Sequence, residues 1–134
     1  MAHQYSVTVN NARLDTIEST IGVSAVLKIF SGAEPANCAA SDPAGLLCTI
    51  TLPSDWMAAA SSASKAKSGT WSASASGTGT AASYPIYEST ATTCHIQGSV
   101  TATGGGGDLT LDNTSIASGQ TVTVSTYTIT AANT

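Results

Sequence analysis

The residues whose types and spacing come nearest to chemistry are the adjacent pair Cys94-His95 and the group Asp108, Asp112 and Asn113. A thiol beside an imidazole could form a nucleophile with its base, or two ligands of one metal. Neighbouring residues on a strand point to opposite sheet faces, however, and Cys94-His95 opens a strand-like alternation, so the two cannot serve one centre. No CxxC, HxH or HExxH spacing occurs, and no serine sits in a GxSxG elbow. Asp108 and Asp112 flank Leu109-Thr110-Leu111 on one parity and with Asn113 could offer oxygens to Ca²⁺. The same residue types are ordinary turn formers that bond their own backbone, and that reading is adopted. Gly104 to Gly107 has no following Lys-Ser/Thr and no helix after it, so it reads as a mobile hairpin tip rather than a phosphate loop. Asn113-Thr114-Ser115 matches the glycosylation sequon, but no secretion signal is visible at the N-terminus to give it meaning. His3 lies in a terminal segment expected to fray. No catalytic residue, metal ligand or cofactor site is assigned, and the expectation is a protein that is not an enzyme.

Composition points the same way. Asp, Glu, Lys and Arg together number only 12 in 134 residues, with a net charge of −4. Arg13, Lys28, Lys65 and Lys67 are the whole basic set and form no cluster. Nucleic-acid affinity needs several cations on one face, so no nucleic-acid partner is expected, and by the same argument no anionic membrane surface. No apolar run is long enough to span a bilayer. The three cysteines, Cys38, Cys48 and Cys94, are odd in number and widely spaced, which speaks against a disulfide framework and for thiols kept in a reducing cytosol. Aromatics are only 5% of the chain, so the core is expected to be thin and made of Val, Ile and Leu.

The elements that must carry these residues form one domain. Asn10 or Asn11 can cap a helix whose apolar stripe is Leu14, Ile17 and Ile21, with Gly22 as its stop. Val23 to Phe30 has apolar residues on both parities and reads as a strand buried on both faces. A turn-rich loop follows to Gly45. Leu46, Cys48, Ile50 and Leu52 then share one parity of a half-buried strand ended by Pro53. Ala58 to Lys67 is Ala- and Ser-rich and favours a short helix by propensity. Thr70 to Ala75 reads as a strand, with a glycine turn at Gly77 and Gly79. Tyr84 to Glu88 reads as an edge strand because Pro85 cannot donate to a ladder. In Thr121 to Thr130 the apolar parity switches between Val124 and Tyr127, which predicts a β-bulge near Ser125-Thr126. Seven or eight short strands with one helix at an edge predict a mainly β fold, an antiparallel β-sandwich or jelly-roll-like barrel with one short N-terminal helix. Trp71 is assigned to the core. Trp56, following the Pro53-Ser54-Asp55 break, suits the core or an interface equally.

As a set, Asn11-Ala12-Arg13-Leu14-Asp15, Leu27-Lys28-Ile29-Phe30-Ser31-Gly32-Ala33, Leu52-Pro53-Ser54-Asp55-Trp56-Met57, His95-Ile96-Gln97-Gly98 and Asp108 to Asn113 are informative. With the closing Gly119-Gln120 turn and the strand Val122 to Ile129, this order resembles a family of small virion structural proteins of tailed bacteriophages and prophages. The likeness runs from about Tyr5 to Asn133. It implies a capsid decoration (cement) protein, or else a tail or neck component, and brings no catalytic residues. A decoration protein would have the major capsid protein and further copies of itself, as a dimer or trimer, for partners. It would be made in the bacterial cytoplasm and end on the capsid exterior, where an acidic chain avoids packaged DNA. Its contact parts would be an N-terminal arm, Met1 to Asn10, and the loop Ala33 to Gly45, on a sandwich domain spanning 11–134. In the arm, Tyr5, Val7 and Val9 alternate like a strand ready to pair with an edge. Glu34 and Pro35 in the loop, and Trp56, complete the candidate contact residues. The alternative is a surface module that reads a host glycan through its few aromatics.

Overall fold

The structure, a computed structural model, describes residues 3–131. It is mainly β, with one helix and a curled five-stranded sheet that makes a half-barrel. Helix α1 spans Val7–Ile21. Ser6, in extended backbone, caps it by accepting the Val9 amide on its hydroxyl at 3.2 Å. The cap therefore lies a turn earlier than Asn10 or Asn11. Asn10 is fully buried inside the helix, where its amide accepts from Arg13 at 2.7 Å and donates to Tyr5 O at 3.4 Å. Val7 and Val9 are thus helical and not part of an extended arm. The strand preference of valine is small, and a satisfied cap with a docked helix overrides it. Gly22, at φ +92°, ends the helix with its amide on Glu18 O. No helix among the described residues is long and apolar enough to cross a membrane.

The main sheet runs β2-β1-β6-β7-β8, built from β1 (Val26–Phe30), β2 (Leu46–Thr51), β6 (Ser83–Tyr87), β7 (Cys94–Ala102) and β8 (Leu109–Leu111). β1 is buried on both faces apart from Lys28, as its mixed parity predicts. The β1–β2 register slips at Phe30↔Leu46, leaving Leu47 as an extra residue. Leu47 therefore joins Cys48 and Ile50 in the core while Leu46 stays exposed, so the single-parity expectation fails at its first residue. β6 is the middle strand of the sheet and not an edge. The Val100 amide donates to Ala82 O, so by the two-residue alternation Pro85 takes a non-bonded pairing with Gln97 on the β7 side. On the β1 side the pairing is interrupted between Leu27↔Ile86 and Phe30↔Ser83, the stretch where Pro85 would have had to donate. A proline is tolerated centrally because the ladder skips it.

β8 runs parallel to β7, so Gly104 to Gly107 is not a hairpin tip. The chain doubles back within six residues, well short of an ordinary parallel crossover. Gly104 and Gly106, at φ +87° and +82°, allow it. Gly107 lies against Thr101 and donates its amide to the threonine hydroxyl at 2.9 Å.

Among the described residues three two-stranded ribbons accompany this sheet: β4 (Trp71–Ser74) with β10 (Thr121–Val124), β3 (Ser64–Ala66) with β11 (Thr128–Thr130), and β5 (Gly79–Thr80) with β9 (Ser115–Ile116). The β4–β10 ribbon lies across the two ends of the main sheet. β4 abuts β2, with Ser76 and Gly77 both donating to Leu47 O, and β10 neighbours β8. The parity switch near Ser125-Thr126 is not a bulge. Over residues 125–127 the chain leaves β4 and joins β3, so Thr121 to Thr130 is two strands in two ribbons.

Ala58 to Lys67 is also not a helix. It is a tight β excursion with bridges Met57↔Lys67 and Ser61↔Ser64, turning at Ser62 and Ala63 with φ +52° and +60°. What helix propensity lacks here is an apolar stripe, and what the extended form gains is α1. Asn11, Asp15 and Glu18, on one helical face, accept the amides of Ala63, Ala60 and Met57 at 2.9, 2.9 and 2.6 Å. Buried Lys65 completes the seam, its ammonium donating to Asp15 at 2.8 Å and to Ala58 O at 3.0 Å. The polar face of the helix is therefore a docking face.

The core is not the thin aliphatic one that composition implies. Of seven aromatics only Tyr5 is exposed. Trp56, Trp71, Tyr127 and Tyr84 form a continuous chain with successive ring centroids 6.1, 5.5 and 5.6 Å apart, around which Leu27, Ile29, Ile50 and Ile86 pack. A few aromatics suffice because they are stacked in one place.

Candidate functional site

An open cleft of about 820 Å³ lies between the C-terminal half of α1 and the strands β7 and β11. Two strand edges face it. The Val100 amide points to β6, so along the regular part of β7 the amides of Ser99 and Gln97 point the other way, and His95 is the extra residue where the β6–β7 register shifts. Ser99 is satisfied by Asp108, whose carboxylate accepts its amide at 3.0 Å. Gln97 has no ladder partner on that side among the described residues, since β8 pairs only from Val100 onward. On β11, Ala131 N donates to Ala63 O and Tyr127 O accepts from Lys67 N, so the odd residues face β3 and the backbone of Thr128 and Thr130 faces away. His95, Ile96 and Gln97 line one side of the cleft, and Thr128, Ile129 and Thr130 also line it. Ile17 and Ile21 of α1 add apolar surface, and behind them lies the buried hydroxyl pair Tyr84–Tyr127 at 2.8 Å.

Two acidic groups near this cleft, Glu88 and Asp108, are engaged in holding the fold. Glu88 collects the Thr90 hydroxyl and the amides of Thr92 and Thr93, and these bonds, led by the Thr90 hydroxyl, draw its carboxyl down to about 2. The His95 ring lies 3.4 Å from Glu88. Burial, reinforced by each other's presence and by Asp108, pushes the Tyr84 phenol far up, and burial lifts Tyr127 to about 12. Both hydroxyls are neutral hydrogen-bonding groups at any physiological pH.

The residues that spacing singled out separate in space. Cys94 turns toward Cys38, its sulfur 2.8 Å away, and not toward His95. Asp108 binds Ser99, Asp112 accepts from the Thr103 hydroxyl at 3.3 Å, and Asn113 accepts the Ser115 amide at 3.0 Å in a local turn. Among the described residues no three His, Cys, Asp or Glu side chains gather as a metal site would require. Of the candidate contact residues, Glu34 is exposed and lines the cleft. Pro35 is half-buried behind it, its carbonyl accepting from the Gln97 side chain at 2.8 Å. Tyr5, Val7 and Val9 are exposed at the start of α1, away from the half of the helix that lines the cleft. Trp56 is a correction: it is fully buried, its indole donating to Gly22 O at 2.9 Å, and it presents no surface to a partner. Sequence reasoning missed the cleft because an unpaired strand edge has no residue signature. The apolar alternation of Tyr127 and Ile129 was visible, but not which neighbour β11 would lack.

No family model matches this chain, and no curated protein and no solved structure is similar to it at a significant level.

Proposed function

We propose that this protein is a non-enzymatic virion structural protein that binds the outer capsid surface at capsomer junctions and stabilises the shell. The observation that carries the reading is the cleft bounded by unpaired backbone of β7 and β11. Backbone donors and acceptors beside an apolar floor suit an extended segment of another chain, which would gain ladder bonds from the strands and seat alternate side chains on Ile17 and Ile96. The major capsid protein is the partner, in many copies, so each site needs only modest affinity. Further copies of this chain, in a dimer or trimer, are the other source of such a segment. A strand seated there would carry the half-barrel toward the jelly-roll-like closure that the strand pattern suggests. The net charge of −4 favours the outside of the shell over packaged DNA. The exposed Tyr5, Val7 and Val9 supply a second, smaller apolar contact. A glycan-reading role gains less support, since five of the six Trp and Tyr side chains are buried and Tyr5 alone is exposed.

The test is imaging of purified virions at subunit resolution. Copies at capsomer junctions in numbers near those of the major capsid protein are expected; a few copies at a tail vertex would sink the reading. In solution, Thr128→Pro removes an amide that faces the cleft and not β3. It should abolish co-sedimentation with empty shells while leaving the thermal melt near that of the parent chain. Undiminished binding would show that the edge is not the contact.

A further inference from the structure

Cys38 and Cys94 are 56 residues apart in sequence, yet their sulfurs lie 2.8 Å apart. Both are half-buried and border a surface recess of about 320 Å³ that also touches Asp42 and Tyr87, so a small reagent can reach them. Cys48 is different: it is fully buried, and its sulfur faces the carbonyls of Ala73 and Ser74. The chain thus holds one paired, accessible dithiol and one isolated thiol.

The surroundings favour closure. A disulfide needs its sulfurs at about 2.05 Å, so they must approach by less than an ångström. Cys38 lies in the loop between β1 and β2, which has no ladder of its own and can make that shift. The loop is already registered against the sheet. Gln97 donates to Pro35 O, Ser83 donates to Gly32 O at 2.7 Å, and the Tyr87 hydroxyl donates to Asp42. These contacts bring the same two sulfurs together in every molecule, which is what selective oxidation requires.

We infer that Cys38 and Cys94 form an intramolecular disulfide that ties the 31–45 loop to the start of β7 when the protein meets a small-molecule disulfide oxidant. One thiol loses its proton, and its thiolate attacks a sulfur of the oxidant, forming a mixed disulfide and expelling one small thiolate. The second cysteine, deprotonated in turn, attacks the protein sulfur of that mixed disulfide and expels the other half of the reagent. The two cysteines lose two protons and two electrons, and the small disulfide is reduced to two thiols. Burial and the Cys38 contact raise the Cys94 thiol to about 12, so the step in which Cys94 attacks should quicken as the solution is made alkaline. This inference stands independently of the virion reading.

The experiment incubates the full chain with oxidised glutathione, then counts thiols after denaturation and maps peptides without reduction. The expected result is a fall from three free thiols to one, an intact mass lower by two hydrogens, and a crosslink joining Cys38 to Cys94. Cys48→Ala should still form the crosslink and finish with no free thiol. Three surviving thiols, a stable glutathione adduct, a bridge that includes Cys48, or a disulfide-linked dimer would each overturn the inference. Because the wild-type chain is read directly, the outcome does not depend on any variant folding.

Discussion

Tyr84 and Tyr127 offer the sharpest test of how this core is held. Their hydroxyls meet at 2.8 Å in a buried position, each the other's only protein partner among the described residues, with the rings edge-on at 5.6 Å. Replacing one tyrosine by phenylalanine keeps the ring and its packing but leaves the remaining hydroxyl unpaired. Such an orphan costs about 1–3 kcal/mol when fully buried; the hydroxyls border the cleft, so about 1.5 kcal/mol is expected for each single variant. Removing both hydroxyls leaves nothing unsatisfied, and the double variant should lose about 1 kcal/mol or less. For 134 residues the unfolding entropy near the midpoint is about 0.28 kcal/mol/K, so each single variant should lower Tm by about 5 °C. Additivity would put the double variant about 10 °C down, whereas coupling predicts about 4 °C or less. Urea denaturation of the four members of the cycle gives the same quantity at constant temperature. A double variant as unstable as the sum of the singles would refute the argument, because it would mean the hydroxyls are independently hydrated. The pair also sets an alkaline limit. Both phenols titrate higher in the folded protein than the ordinary value near 10, so their contribution is intact below pH 10 and lost as pH rises toward about 12. The double phenylalanine variant should show a shallower alkaline loss.

Other expectations follow from single contacts. Glu88 is held at about 2, below its unfolded value, so its contribution is present above about pH 4.5 and lost as pH falls toward 2. Glu88→Gln should flatten the acid limb of a stability–pH profile measured by urea midpoint, and an unchanged limb would count against the loop bonds at Thr90, Thr92 and Thr93. A Cβ at Gly98 would come within 2.8 Å of Asp108 Cβ and Tyr84 Cε1, so Gly98→Ala should cost about 1–3 kcal/mol by chemical denaturation. Lys65 is buried along its whole stem, so Lys65→Ala should be about 2 kcal/mol less stable than Lys65→Met, which retains the methylene packing; equal melts would show that the stem contributes little. Ser6→Ala should lower stability by about 1 kcal/mol and reduce helical signal at 222 nm through loss of the cap, whereas Asn11→Ala should act through the Ala63 amide instead.

Local pattern settled much of this protein. Period-two alternation located β2 and β7, apolar residues on both parities marked β1 as buried on both faces, small residues around Trp71 marked β4, Gly22 ended the helix, and the number of short strands foretold a mainly β domain. These features are legible because they depend on neighbours two to four residues apart. Other features are decided only by the fold. Pro85 sits in a central strand because the β1 ladder happens to be interrupted beside it. Ala58 to Lys67 is extended because three side chains of α1, some 40 to 50 residues away, take its amides. Trp56 is a core residue because Gly22 O lies where its indole can donate. Cys38 meets Cys94, and β7 and β11 keep free edges beside one cleft, through pairings that no local residue encodes. Local sequence specifies which backbone geometry each segment prefers; which hydrogen-bonding groups remain unpaired, and so what the surface can bind, is fixed only when all segments compete for partners.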